Sequence, residues 1–133
     1  MVKFEIPGAP RGKGRPRFAG HAYTDSKTRA YEQLVQTCYR QEAGAFDFSG
    51  AVELSIMAVI PTAKSDSKAT RNGKLCGLIQ PTRKPDVDNI AKIVMDALNG
   101  LAWQDDKQVV RLSVCKIYGE TAKTMVQVSE VRA

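Results

Sequence analysis

The chain has 133 residues, 43% of them hydrophobic and 26% charged, with 20 Lys plus Arg against 14 Asp plus Glu for a formal net charge of +6. This length supports one domain, residues 1–133, with one core, and the composition excludes general disorder. The positive balance points to an anionic partner without choosing among nucleic acid, lipid headgroups and acidic protein.

Val2, Phe4 and Ile6 alternate with Lys3 and Glu5, which predicts a half-buried strand ending at Pro7. The segment from Pro7 to His21 has three prolines and four glycines and reads as an irregular surface loop. It presents Arg11, Lys13, Arg15 and Arg17 with no acid among them. Tyr31, Leu34, Val35, Cys38 and Tyr39 then follow helical spacing, so a helix is expected over 26–43, with Asp25 or Ser26 as its cap and Gly44 as its stop. Val52 to Ile60 reads as a buried strand ended by Pro61.

From Thr62 to Pro85 there is little apolar periodicity, and the stretch reads as a long irregular connection. Lys64, Lys68, Arg71, Lys74, Arg83 and Lys84 face only Asp66 there, which favours a functional role; composition alone equally allows a solvated, disordered insert. A second helix follows from Ile90, Ile93, Val94, Ala97 and Leu98, stopped by Asn99-Gly100. After an acidic turn at Asp105-Asp106, two strands are predicted over 109–118 and 124–131. Four strands and two helices give an α+β (or α/β) layer, a small four-stranded mixed sheet with two main helices packed on it.

Cys38, Cys76 and Cys115 are odd in number and far apart, which fits reduced thiols in a cytoplasm. No zinc-ligand spacing is present, and no apolar run is long enough to span a bilayer.

The chemistry concentrates in Lys84-Pro-Asp-Val-Asp-Asn-Ile-Ala-Lys92. Asp86 and Asp88 flank one residue, so in an extended entry to the helix their carboxylates point the same way and can share a cation. Mg²⁺ suits such a pair, because it takes few carboxylates and fills its shell with water and phosphate oxygens. The competing explanation is capping, with Asp88 as the N-cap before Ile90. Lys92 lies one turn beyond Asp88 and shares its polar face with Asp96, either as an ion-paired residue or as a cation that steadies charge on a phosphate. Asp105 and Asp106 form a third acidic element, either an ordinary Asp-rich turn or a further metal ligand if a short return brings them back beside the first pair. Trp103 is expected to anchor that turn in the core. His21, the only histidine, lies in the basic loop, which argues against a histidine general base.

These residues resemble the RusA Holliday junction resolvases. The likeness rests on Lys84-Pro-Asp-Val-Asp-Asn-Ile-x-Lys, Asp96-Ala-Leu and Trp103-x-Asp-Asp-x-Gln-Val-Val110. Gly14-Arg-Pro-Arg-Phe18, Tyr23-Thr24 and Tyr31-Glu32 look like the branch found in Gram-positive bacteria and their phages. The resemblance implies a homodimeric, Mg²⁺-dependent endodeoxyribonuclease, with Mn²⁺ as a substitute, that nicks two opposing strands of a four-way DNA junction in recombination and repair. It implies Asp86, Asp88 and Asp106 as metal ligands, with Asp105 the alternative to Asp106, and Lys92 as the catalytic lysine. Arg11, Lys13, Arg15, Arg17, Lys68, Arg71, Lys74, Arg83 and Lys84 are the expected phosphate contacts. Some members carry an arginine directly before the first aspartate, where this sequence has Pro85. Two other readings use the same residues: a basic DNA-binding module without catalysis, and another Mg²⁺-dependent phosphate enzyme such as a nucleotide-sugar transferase.

Overall fold

The computed structural model describes residues 1–14 and 17–132. Its main sheet holds β1 (Val2–Pro7), β6 (Lys123–Glu130), β4 (Val52–Pro61) and β5 (Val109–Gly119), in that spatial order. The β1–β6 and β6–β4 pairs are antiparallel, and β4–β5 is parallel, so the sheet is mixed as expected. A two-residue ribbon, β2 (Arg17–Phe18) with β3 (Ala22–Tyr23), stands apart from it within the basic N-terminal segment.

Alternation sorts each strand into two faces. Val2, Phe4 and Ile6 of β1, Val126 and Val128 of β6, and Val52, Leu54 and Ile56 of β4 are all buried on the helix-covered face. The helices α1 (Ser26–Ala43) and α3 (Val87–Leu98) close that face with Tyr31, Val35, Tyr39, Ile90, Ile93, Val94 and Leu98, and these residues form one core cluster. Burying a side chain of this size contributes about 1.5–3 kcal/mol, which is why apolar spacing fixes the helix faces. The Tyr31 hydroxyl and Thr124 Oγ1, both buried, satisfy each other at 2.9 Å and tie α1 to β6.

The bounds of α1 follow from its caps. The Asp25 side chain accepts from the Thr28 N–H at 2.8 Å, and Gly44, at φ +63°, takes the left-handed turn that a Cβ would oppose. Where 62–85 reads as an irregular connection, the structure instead places an eight-residue helix, α2 (Lys68–Leu75). Its sequence, Lys-Ala-Thr-Arg-Asn-Gly-Lys-Leu, has no apolar stripe and a glycine in its interior, so neither periodicity nor propensity announces it. Three contacts hold it: Ser67 caps Thr70 at 3.1 Å, Lys74 Nζ bonds Asp66 at 2.8 Å, and the same ammonium lies 4.8 Å from the Tyr118 ring centroid. The helices therefore number three among the described residues, one more than predicted.

The chain leaves β4, runs through α2 and α3, and returns as β5 parallel to β4, with Val52 opposite Val109 and Pro61 opposite Gly119. This crossover sets the start of α3 and the start of β5 at different ends of the sheet. No helix among the described residues is long and apolar enough to cross a membrane.

Candidate functional site

Helix α3 begins two residues earlier than capping by Asp88 requires. Asp86 is the N-cap, in extended backbone at φ −74° and ψ 149°, and Asp88 is already inside the first helical turn. The expected extended Asp-x-Asp is therefore replaced by a cap residue followed by a helical one. The Asp86 side chain makes no capping hydrogen bond. Both carboxylates are exposed, and neither takes a hydrogen bond or an ion pair from another described residue. Capping thus fails to account for either acid. Two anions remain at the positive end of a helix dipole, open to solvent and to a cation.

Lys92 stands one turn further along α3, its side chain 62% exposed and its ammonium 3.8 Å from Asp96. A surface i, i+4 pair of this kind contributes only a few tenths of a kcal/mol, so Lys92 is available to a ligand. Asp96 is more closely held by Lys13, at 3.1 Å, and Lys13 in turn bonds Glu32 of α1 at 2.8 Å. Burial of the Lys13 ammonium lowers its pKa, but the hydrogen bonds and charges of Glu32 and Asp96 outweigh that effect and hold it above the ordinary lysine value. Lys13, expected as a phosphate contact, is committed inside the fold.

The N-terminal segment lies against the start of α3. The Lys13 N–H donates to the Asn89 carbonyl at 2.9 Å, and a Cβ on Gly12 would sit 2.8 Å from the Asn89 Cβ. Between this segment and Lys84-Pro85-Asp86 opens a cleft of about 430 Å³, with Arg11, Lys84 and Asp86 among the residues that line it. Asn89, passed over in the sequence, lines the same cleft; its place directly after Asp88 was the available signal. A larger depression, about 540 Å³, lies on the sheet face that no helix covers, among Lys3, Met57, Cys115 and Met125. Neither Asp86 nor Asp88 lines it; Asp86 lines the smaller cleft.

Asp105 and Asp106 are separated in role. Asp105 caps a short 3-10 turn, accepting from the Lys107 N–H at 3.0 Å while its own N–H donates to Gln108 at 3.1 Å. Asp106 accepts from the indole N–H of Trp103 at 2.8 Å. Trp103 is fully buried, the core anchor expected of it.

The short return does not bring these acids back to Asp86 and Asp88 within one chain. Gln108 bonds the carbonyls of Phe48 and Gly50, which fixes the Asp105-Asp106 turn at the start of β4 and β5. Lys116, near the other end of β5, bonds the Arg83 carbonyl at 2.8 Å, which fixes the approach to Asp86 there. From Val109 to Lys116 is roughly 23 Å of strand. Accordingly, among the described residues no three acidic, histidine or cysteine side chains gather to hold a metal ion. The donor set at α3 still fits Mg²⁺, which takes one or two carboxylates and completes its shell with water and phosphate oxygens.

Of the remaining basic residues, Lys74 is buried against Asp66 and Tyr118, so its charge is spent on anchoring α2. Lys68, Arg83 and Lys84 are exposed and Arg71 is half-buried. Arg15 and the side chain of Arg17 lie outside the described residues.

Residues 7–129 match the family model described as endodeoxyribonuclease RusA. Over 139 residues the chain is 37% identical to the uncharacterized protein YqaN of Bacillus subtilis (strain 168), covering 99% of this chain and 98% of that one.

Proposed function

The chain belongs to the RusA endodeoxyribonuclease family, and from that premise we propose that it is a Mg²⁺-dependent, structure-selective endodeoxyribonuclease that resolves four-way DNA junctions by paired nicks. The observation that carries this reading is the pair of exposed carboxylates, Asp86 and Asp88, without partners among the described residues, beside the cleft that Arg11 and Lys84 line.

Asp86 and Asp88 hold the cation. The chemistry such an ion supplies is that of a Lewis acid, polarising the phosphodiester and making water a better nucleophile. Lys92, exposed one turn from Asp88, neutralises charge that builds on the phosphate. Arg11 and Lys84 bind the strand presented to the acids, and Lys68, Arg71 and Arg83 bind phosphates further along, with Arg15 and Arg17 of the N-terminal segment. Binding that rests on so many cations falls steeply with salt. The active form is a homodimer, whose two sites account for two nicks. Asp106 joins Asp86 and Asp88 only if a second copy supplies it, which ties a three-acid metal site to that dimer.

The test uses labelled four-way junctions, linear duplex and single strands, with Mg²⁺ or with chelator, and compares wild type with Asp88→Asn and Lys92→Ala. Expected is paired nicking of the junction by wild type in Mg²⁺, lost in both variants and in chelator. Unchanged nicking by Asp88→Asn sinks the assigned site. Equal cleavage of linear duplex sinks the junction preference and leaves a nuclease.

A further inference from the structure

Lys13 lies in a segment rich in glycine and proline, where a basic residue would ordinarily reach into solvent. Instead its side chain is 15% exposed and bridges two helices, with Glu32 of α1 at 2.8 Å and Asp96 of α3 at 3.1 Å. Its backbone N–H is fixed to the Asn89 carbonyl. The neighbouring glycines permit this closeness. A Cβ on Gly12 would meet Asn89, and one on Gly14 would come 2.8 Å from Thr28 Oγ1 of α1. The segment is thus pinned on both sides of Lys13, and the residue before Gly12 is Arg11, which lines the same cleft as Asp86.

We propose that Lys13 is a positioning residue: its bridge from the N-terminal segment to α1 and α3 latches Arg11 opposite Asp86, so that the cleft grips a backbone phosphate of the strand to be cut. The cation that touches phosphate is Arg11, and Lys13 acts only through it. The bridge has a second effect at the same place. By neutralising Asp96, Lys13 leaves Lys92 on a long, weak contact and free to face the substrate. This inference rests on the nuclease reading above, since it assigns the phosphate that the cleft holds.

A latch and a direct phosphate contact predict opposite signs for one substitution. Glu32→Gln removes the negative charge that holds Lys13, leaving only a neutral amide acceptor, and raises the net charge by one. If Lys13 contacted DNA itself, freeing it would tighten binding. A latch predicts the reverse. Dissociation constants for a labelled four-way junction are measured in chelator, where no cleavage occurs, for wild type, Glu32→Gln, Lys13→Met, Arg11→Ala and the Glu32→Gln/Arg11→Ala double variant. Glu32→Gln and Lys13→Met are each expected to weaken binding about tenfold, the scale of one charge-assisted contact. In the Arg11→Ala background, Glu32→Gln is expected to cost nothing further, because the residue that the latch positions is gone. Tighter or unchanged binding by Glu32→Gln overturns the latch, and so does a full additional loss in the double variant. Glu32→Gln keeps the test intact if Lys13→Met fails to fold. Absence of junction binding by wild type overturns the nuclease reading and this inference with it.

Discussion

The indole nitrogen of Trp103 donates to Asp106 at 2.8 Å, from a side chain that is itself fully buried. One oxygen of an acid in the family motif is therefore fixed by the core, and its orientation cannot change without disturbing packing. Trp103→Phe keeps an aromatic ring but loses the donor and part of the volume. It is expected to cost about 2–3 kcal/mol in urea unfolding. Asp106→Asn, which retains an acceptor oxygen, is expected to cost less than about 1 kcal/mol while abolishing cleavage.

The side chains of Asp86 and Asp88 make no hydrogen bond with another described residue whose loss would unsettle α3. Asp88→Asn removes only a favourable charge from the helix N-terminus, so stability should change by no more than about 1 kcal/mol. Nicking should fall about 100-fold or more, as the loss of metal-dependent stabilisation requires. Thermal melting alongside a cleavage assay separates the two effects.

The separation of Asp106 from Asp86 and Asp88 along β5 makes the dimer testable by complementation. Asp88→Asn and Asp106→Asn proteins, each expected to be inactive alone, are mixed, unfolded and refolded together. If a second copy supplies Asp106, a mixed dimer contains one intact site, and single nicks return. No recovery would mean that each site draws all its acids from one chain.

The Asp66–Lys74 pair sets an acid limit on the stability of α2. The hydrogen bond from Lys74 holds the Asp66 carboxyl below its ordinary value, helped by the Ala63 N–H and the charges of Lys74 and Arg71 against the opposing effect of burial. A carboxyl whose folded pKa is lowered adds stability that is present above its unfolded value and is lost as pH falls through the folded one. The stability difference between wild type and Asp66→Asn, from urea titrations, should therefore be constant near neutrality and shrink below about pH 4.

Gly12 faces Asn89 too closely for a side chain. In Gly12→Ala the new Cβ forces the N-terminal segment off α3, with an expected loss of about 1–3 kcal/mol. Junction binding should weaken with it, whereas Gly8→Ala, with nothing near the added carbon, should act only through its backbone strain at φ +91°. Comparing the two by binding and by urea unfolding isolates the contact.

The sequence by itself determined the sheet strands and the two long helices, and it singled out the acids on which the proposed site rests. Alternation in Val2, Phe4 and Ile6 and the stripe of Ile90, Ile93, Val94 and Leu98 each encode one buried face, and burial is a local pattern. Helix α2 escaped because Asp66, Lys74 and Tyr118 hold it, the last of them from a strand more than forty residues further along. Only tertiary structure decided that Asp86, not Asp88, begins α3, and that neither side chain is spent on a cap. It also decided where charges go. Lys13 and Arg11 look alike in sequence, yet the fold places two carboxylates from different helices around the first and leaves the second beside the cleft. The same holds for Asp106, whose distance from Asp86 follows from a parallel β4–β5 crossover that sets the two ends of α3 at opposite ends of the sheet. Charge and periodicity are read along the chain, but which cation meets which anion depends on how separate elements pack.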